Sequence, residues 1–109
     1  MHLAISDWVI AEFSAALSVK LRMRGIDNEG RALALSAFAE MASDQLEVFA
    51  VSRACFRIAA RLADRQASGL RGSDALHLAI CQSNGATLHT LDRRLAKAAA
   101  ALAVPATLV

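Results

Sequence analysis

The sequence predicts an α/β fold, with a mainly parallel sheet held between helical layers, on three observations. Short apolar runs rich in β-forming residues alternate with longer helical ones, the pattern of strand–helix units. Helical runs open on Ser or Asp directly after an apolar run, at Ser6-Asp7, Ser52 and Asp92, and these are residue types that cap helix N-termini. A single Pro among 109 residues leaves little chain for linkers, and that length suits one domain, residues 1–109, around one hydrophobic core.

Each element has its own reason. HLAI, residues 2–5, is a short apolar run that stops at Ser6-Asp7, where a helix begins that continues to Gly25. Asp27 is placed to cap a second helix through about Ala42, with Leu33, Ala37 and Met41 at i, i+4 and i+8 making an apolar stripe. LEVFAV, 46–51, is short and mostly β-forming, hence a strand. Ser52 caps a helix through about Ala67, its Arg53, Arg57, Arg61 and Asp64 facing water and its Phe56, Ala60 and Ala63 facing inward. GLRG, 69–72, breaks the chain; Ser73 begins a helix that Gly85 ends, and ATLHTL, 86–91, is a further strand. Asp92 opens an alanine-rich last helix and VPATLV, 104–109, is a closing strand. No internal repeat is visible.

Composition removes several classes. At 56% hydrophobic against 20% charged residues the chain is not disordered. Twelve basic against ten acidic side chains permit a polyanionic partner without demanding one. Cys55 and Cys81 form no C-x-x-C and lie in apolar helical patterns, where thiols behave as small hydrophobes; a reducing cytoplasm is the expected location. No apolar run approaches the ~18–20 residues of a membrane span, and Met1 is followed by neither a basic region nor a cleavage-like site, so a soluble chain with no membrane partner is expected. There is no nucleophile elbow, P-loop or G-x-G-x-x-G, so serine hydrolase, NTPase and dinucleotide readings have no support.

Three acids stand out. Glu12 is the only charge in WVIAEFSAALSV, residues 8–19, which is apolar on every side as a buried helix would be. A carboxylate buried there needs a cation, a metal or a hydrogen-bond network, because burial disfavours its charge and raises its pKa. The plainer alternative is a surface glutamate in a narrow polar seam with Ser18 or an Arg. Asp74 stands beside Ser73 at the start of a helix that continues ALHLAI, where helix-dipole complementarity, worth roughly 0.3–1 kcal/mol, is the plainer explanation. Asp92 follows TLHTL at the carboxyl end of a parallel strand, where α/β sheets place ligands. Capping ahead of Arg93-Arg94 is its alternative.

Carboxylates without a matching His or Cys set suit a hard divalent cation, Mg²⁺ or Mn²⁺, and the chemistry that follows is phosphodiester hydrolysis by a metal-activated water. Thr90, two residues before Asp92 and pointing the same way along the strand, is placed to hold a metal-bound water or a carboxylate. Arg71, Arg93 and Arg94 are close enough in sequence to meet a phosphate backbone. His77 and Cys81, at i and i+4, would imitate a zinc set with Asp74, but no fourth ligand is apparent and His89 would have to join from a strand.

These residues resemble a known family. LRGSDALHLAICQSNGATLHTLDRRLAKAAAALAVPA, residues 70–106, is similar to the carboxy-terminal signature of PIN-domain nucleases, and within them of VapC-type toxins of toxin–antitoxin pairs: an aspartate opening a D-A-L-H-L-A helix, then a strand ending T-x-D-R-R-L. LAISDWVIAEFSAAL, residues 3–17, is similar to the family's second-strand segment. The resemblance places Glu12, Asp74 and Asp92 at three of the family's four acidic positions and Thr90 at its accompanying hydroxyl. It implies a PIN-like three-layer α/β/α fold, Mg²⁺- or Mn²⁺-dependent cleavage of RNA, homodimerisation, and a cognate antitoxin whose segment occupies the acidic groove.

Family members open on an apolar strand carrying D-[ST]-[SA], whereas this sequence starts where the second strand falls. The expectation is therefore an N-terminally incomplete domain without the first aspartate. Its metal affinity and nuclease activity should be weakened, and unpaired strand edges at 3–5 and 86–90 should favour dimerisation or aggregation. The rival is a catalytically dead PIN-like module that binds RNA or an antitoxin through its basic groove margin.

Overall fold

Ser6 ends one element and starts the next. It is the last residue of β1 (Ala4–Ser6) and the N-cap of α1 (Asp7–Arg22), where its hydroxyl accepts from the Val9 N–H at 3.3 Å. The computed structural model describes residues 2–65, 67 and 69–109, which divide after Ala50 into two compact units.

In the first unit, Asp27 caps α2 (Asn28–Gln45) by accepting from the Gly30 N–H at 2.7 Å. Such a cap satisfies an otherwise orphaned donor and is worth about 1 kcal/mol. The chain then enters β2 (Glu47–Phe49), parallel to β1 with Ala4 opposite Glu47 and Ser6 opposite Phe49. α1 and α2 meet through Phe13 and Phe38, stacked with centroids 4.1 Å apart and planes 16° from parallel.

That pair decides which face of α2 turns inward, and it overturns the expected stripe. Leu33 and Met41 are 66% and 43% exposed, and Ala37 is exposed with them; Leu35, Phe38 and Ala42 form the half-buried face. α1 is corrected too. It is not apolar-buried on every side: Leu17 is its one buried residue among those described, while Ile10 and Val19 are exposed.

In the second unit, Ser52 caps α3 (Arg53–Ala63) by accepting from the Cys55 N–H at 3.3 Å. α3 packs on α4 (Gly72–Asn84). The contact is made of small side chains, Cys55 and Ala59 on one helix, Ala75 and Ala79 on the other, with Leu62 and Leu76 beside them, all buried. Small residues let two backbones approach closely, which explains why Phe56 (54% exposed) and Ala60 point outward, against expectation. Arg53, Arg57, Arg61 and Asp64 are exposed as expected, but α3 stops at Ala63, short of Ala67.

α4 ends at Gly85, whose left-handed φ of 61° lets the Ala86 N–H reach the Cys81 carbonyl at 2.9 Å. β3 (Leu88–Thr90), α5 (Arg93–Ala101) and β4 (Ala106–Leu108) follow, with β3 parallel to β4 and Leu88 opposite Ala106. Leu78, Ala99 and Val104 are buried in this unit's core. The strands pair as two two-stranded parallel sheets, and with the alternating helices they make the α/β fold that the sequence predicts. No helix among the described residues is long and apolar enough to cross a membrane.

Candidate functional site

The site is built where the sequence turns from β3 into α5. Thr90, half-buried at the end of β3, accepts from the Asp92 N–H through Oγ1 at 3.0 Å. That bond folds the chain back over Leu91 and sets Asp92 in the extended conformation a helix N-cap requires. Asp92 Oδ1 then accepts from the N–H groups of Arg94 at 2.9 Å and Leu95 at 3.2 Å. Only one carboxylate oxygen is used in capping; Oδ2 has no partner among the described residues. Thr90 thus orients the turn that presents Asp92.

α4 begins differently. The helix starts at Gly72, one residue before the expected Ser73, and its N-cap, Arg71, makes no side-chain capping bond. Asp74 lies in the first turn and complements the helix dipole, as does Asp92 one helix later. Its Oδ2 is 3.7 Å from Arg94 Nη2, with the Asp74 side chain 21% exposed and that of Arg94 57%. Arg94 therefore touches both acids, its main-chain N–H on Asp92 and its guanidinium beside Asp74. In the sequence Arg94 reads only as a phosphate contact, and its place two residues after Asp92 gives no signal of the second role. Arg71 and Arg93 are exposed at the same two helix starts.

Glu12 belongs to the first unit, half-buried on α1. Since that helix is not sunk in apolar surroundings, the argument that its carboxylate must be charge-compensated loses its premise. Among the described residues no three His, Cys, Asp or Glu side chains gather into a metal-holding group. The second unit's contribution is the pair Asp74 and Asp92. In kind, their oxygens and the Thr90 hydroxyl fit a hard divalent cation, since Mg²⁺ is commonly held by one or two carboxylates with waters completing its shell.

The thiols have other settings. Cys81 is half-buried, and burial pushes its thiol above the ordinary range. For Cys55, burial also acts upward, but the hydroxyls of Ser52 at 3.5 Å and Ser83 at 3.7 Å outweigh it and lower the thiol. Neither cysteine is in a disulfide.

None of the curated proteins compared matches this chain. The family comparison does match: residues 2–101 fit the PIN domain, and the chain belongs to the PIN domain family, whose members are generally nucleases that use divalent metal ions.

Proposed function

We propose that the chain is an endoribonuclease of toxin–antitoxin type, dependent on Mg²⁺ or Mn²⁺. One observation carries the proposal: Asp74 and Asp92, from separate motifs of the sequence, are both in contact with Arg94 at the carboxyl end of a parallel strand. Asp74 and the unpartnered Oδ2 of Asp92 would hold the cation, Thr90 keeping the Asp92 turn in place. A bound divalent ion supplies positive charge to a scissile phosphate and acidity to a water. Arg71 and Arg93, exposed at the helix starts, would bind the phosphates on either side of the cut. Glu12 is proposed as a third acid on the sequence resemblance alone.

A cognate antitoxin and a second copy of the chain complete the proposed partners. The exposed Leu33 and Met41 on α2 are apolar surface that a dimer would cover, and the absence of disulfides among the two cysteines agrees with a cytoplasmic setting. A second reading also has an observation behind it: Asp74 already has a cation beside it in Arg94 and Asp92 already caps a helix, as they would in a module that binds RNA or an antitoxin without cutting.

Cleavage of single-stranded RNA with Mn²⁺, compared between the parent, Asp74→Asn and Asp92→Asn, tests the proposal. Cutting that disappears in both variants supports the enzyme. A parent that binds RNA but never cuts it, with affinity kept or raised in the Asn variants as repulsion falls, establishes the binding module instead.

A further inference from the structure

The outward face of α3 carries a row of like charge that the site above leaves unused. Arg53, Arg57 and Arg61 recur at every fourth residue, all exposed, and none of the three makes an ion pair among the described residues. Such spacing stacks the side chains on one face at a rise of about 6 Å each. Like charges at this separation repel by about 0.2–0.5 kcal/mol per pair; α3 itself contains no acid, and the exposed Asp64 at its C-cap, three residues past Arg61, makes no ion pair with the row among the described residues. Beside the row stand Phe56, 54% exposed, and Ala60. A phenyl ring more than half exposed thus stands next to three guanidinium groups that make no ion pair among the described residues.

We propose that this face is a docking strip for single-stranded RNA, with the arginines on successive phosphates and Phe56 as the ring on which an unpaired base stacks. The inference rests on RNA being the substrate and adds the surface that holds the strand away from the cut. RNA suits the face better than an acidic protein helix does. A groove-bound helix needs several large apolar anchors, and here there are one ring and the methyl groups of Ala54 and Ala60. Guanidinium groups, by contrast, match phosphate geometry bidentately.

Fluorescence anisotropy of labelled oligouridine with the full chain, in EDTA so that nothing is cut, tests the strip. Each phosphate contact on a single strand adds about 0.7 to the slope of log K against log salt, so three contribute about 2, or roughly 20-fold in affinity between 50 and 200 mM salt. The triple variant Arg53→Gln, Arg57→Gln, Arg61→Gln should lower the slope by about 2 and weaken binding at least about 10-fold. Its Lys counterpart should keep the slope, which shows that charge, not folding, was removed. Phe56→Ala should weaken binding about 5-fold or more with the slope unchanged. A parent that does not bind, a Gln variant with parental affinity and slope, or oligoglutamate displacing the RNA at equal charge concentration each overturns the proposal, the last in favour of an acidic protein partner. Cleavage by Asp92→Asn judges the nuclease reading separately: if that variant cuts like the parent while the Gln variant loses RNA, the strip stands and the assigned catalytic acids do not.

Discussion

Asp74 Oδ2 and Arg94 Nη2 lie 3.7 Å apart, joining the first turn of α4 to the first turn of α5. A guanidinium in that position competes with any divalent cation for the Asp74 carboxylate. Because Arg94 is more than half exposed, water screens the pair, and its worth is at most about 1 kcal/mol. Arg94→Gln should therefore bind Mn²⁺ more tightly, by up to about fivefold, in calorimetric titration. Weaker binding in this variant would mean that Arg94 supports the ion's site instead of competing for it.

Asp92 has two duties that substitution can separate. Asn caps helices as well as Asp does, so Asp92→Asn should keep the bonds to Arg94 and Leu95 and change stability by less than about 0.5 kcal/mol, while cleavage of RNA falls at least about 100-fold. Asp92→Ala loses the cap as well and should destabilise by about 1 kcal/mol. If Asn and Ala lower activity and melting temperature in parallel, Asp92 is a cap and nothing more.

Much of this was legible in the sequence where a local rule decides the outcome. Ser6, Asp27, Ser52 and Asp92 all cap the helices that they were expected to open, because a short side-chain oxygen beside an orphaned N–H is a contest settled within four residues. Facing was harder. On α3 the sets Cys55, Ala59, Leu62 and Phe56, Ala60, Ala63 have the same spacing, one residue apart. Apolar content does not separate them, and close packing on the small residues of α4 selects the first. On α2 the Ala content makes every face tolerable, and the partner ring Phe13 makes the choice. The pairing of Asp74 with Arg94 depends on where two helix mouths fall in space, which no spacing in the sequence encodes.

Leu78 tests the second unit's core. It is fully buried at 0% exposure on the face of α4 opposite the solvent. Leu78→Ala removes its transfer energy and leaves a cavity, a loss of about 2–5 kcal/mol. In a unit of this size the melting temperature should drop by at least about 8 °C in circular dichroism. A loss below about 1 kcal/mol would show that the α3–α4 packing can collapse around the gap.

Ala103 marks the place where the sequence departs from what its backbone requires. It sits at φ 58°, directly after the Leu102 C-cap of α5, with its N–H on the Ala100 carbonyl at 3.1 Å and the Val104 N–H on the Ala99 carbonyl at 2.9 Å. This is the paired-bond ending that α4 completes with a glycine, Gly85, at φ 61°. Val104 and Ala99 are both buried, so the hydrophobic contact that accompanies such endings holds Ala103 in place. A left-handed alanine costs about 1–2 kcal/mol, and glycine's extra freedom in the unfolded chain returns about 0.5–1 of it. Ala103→Gly should therefore stabilise the unit by about 0.5–1 kcal/mol, raising its melting temperature by a few degrees. Ala103→Val, β-branched at the same φ, should lower it; if valine is tolerated as well as glycine, α5 does not end in a left-handed turn in solution.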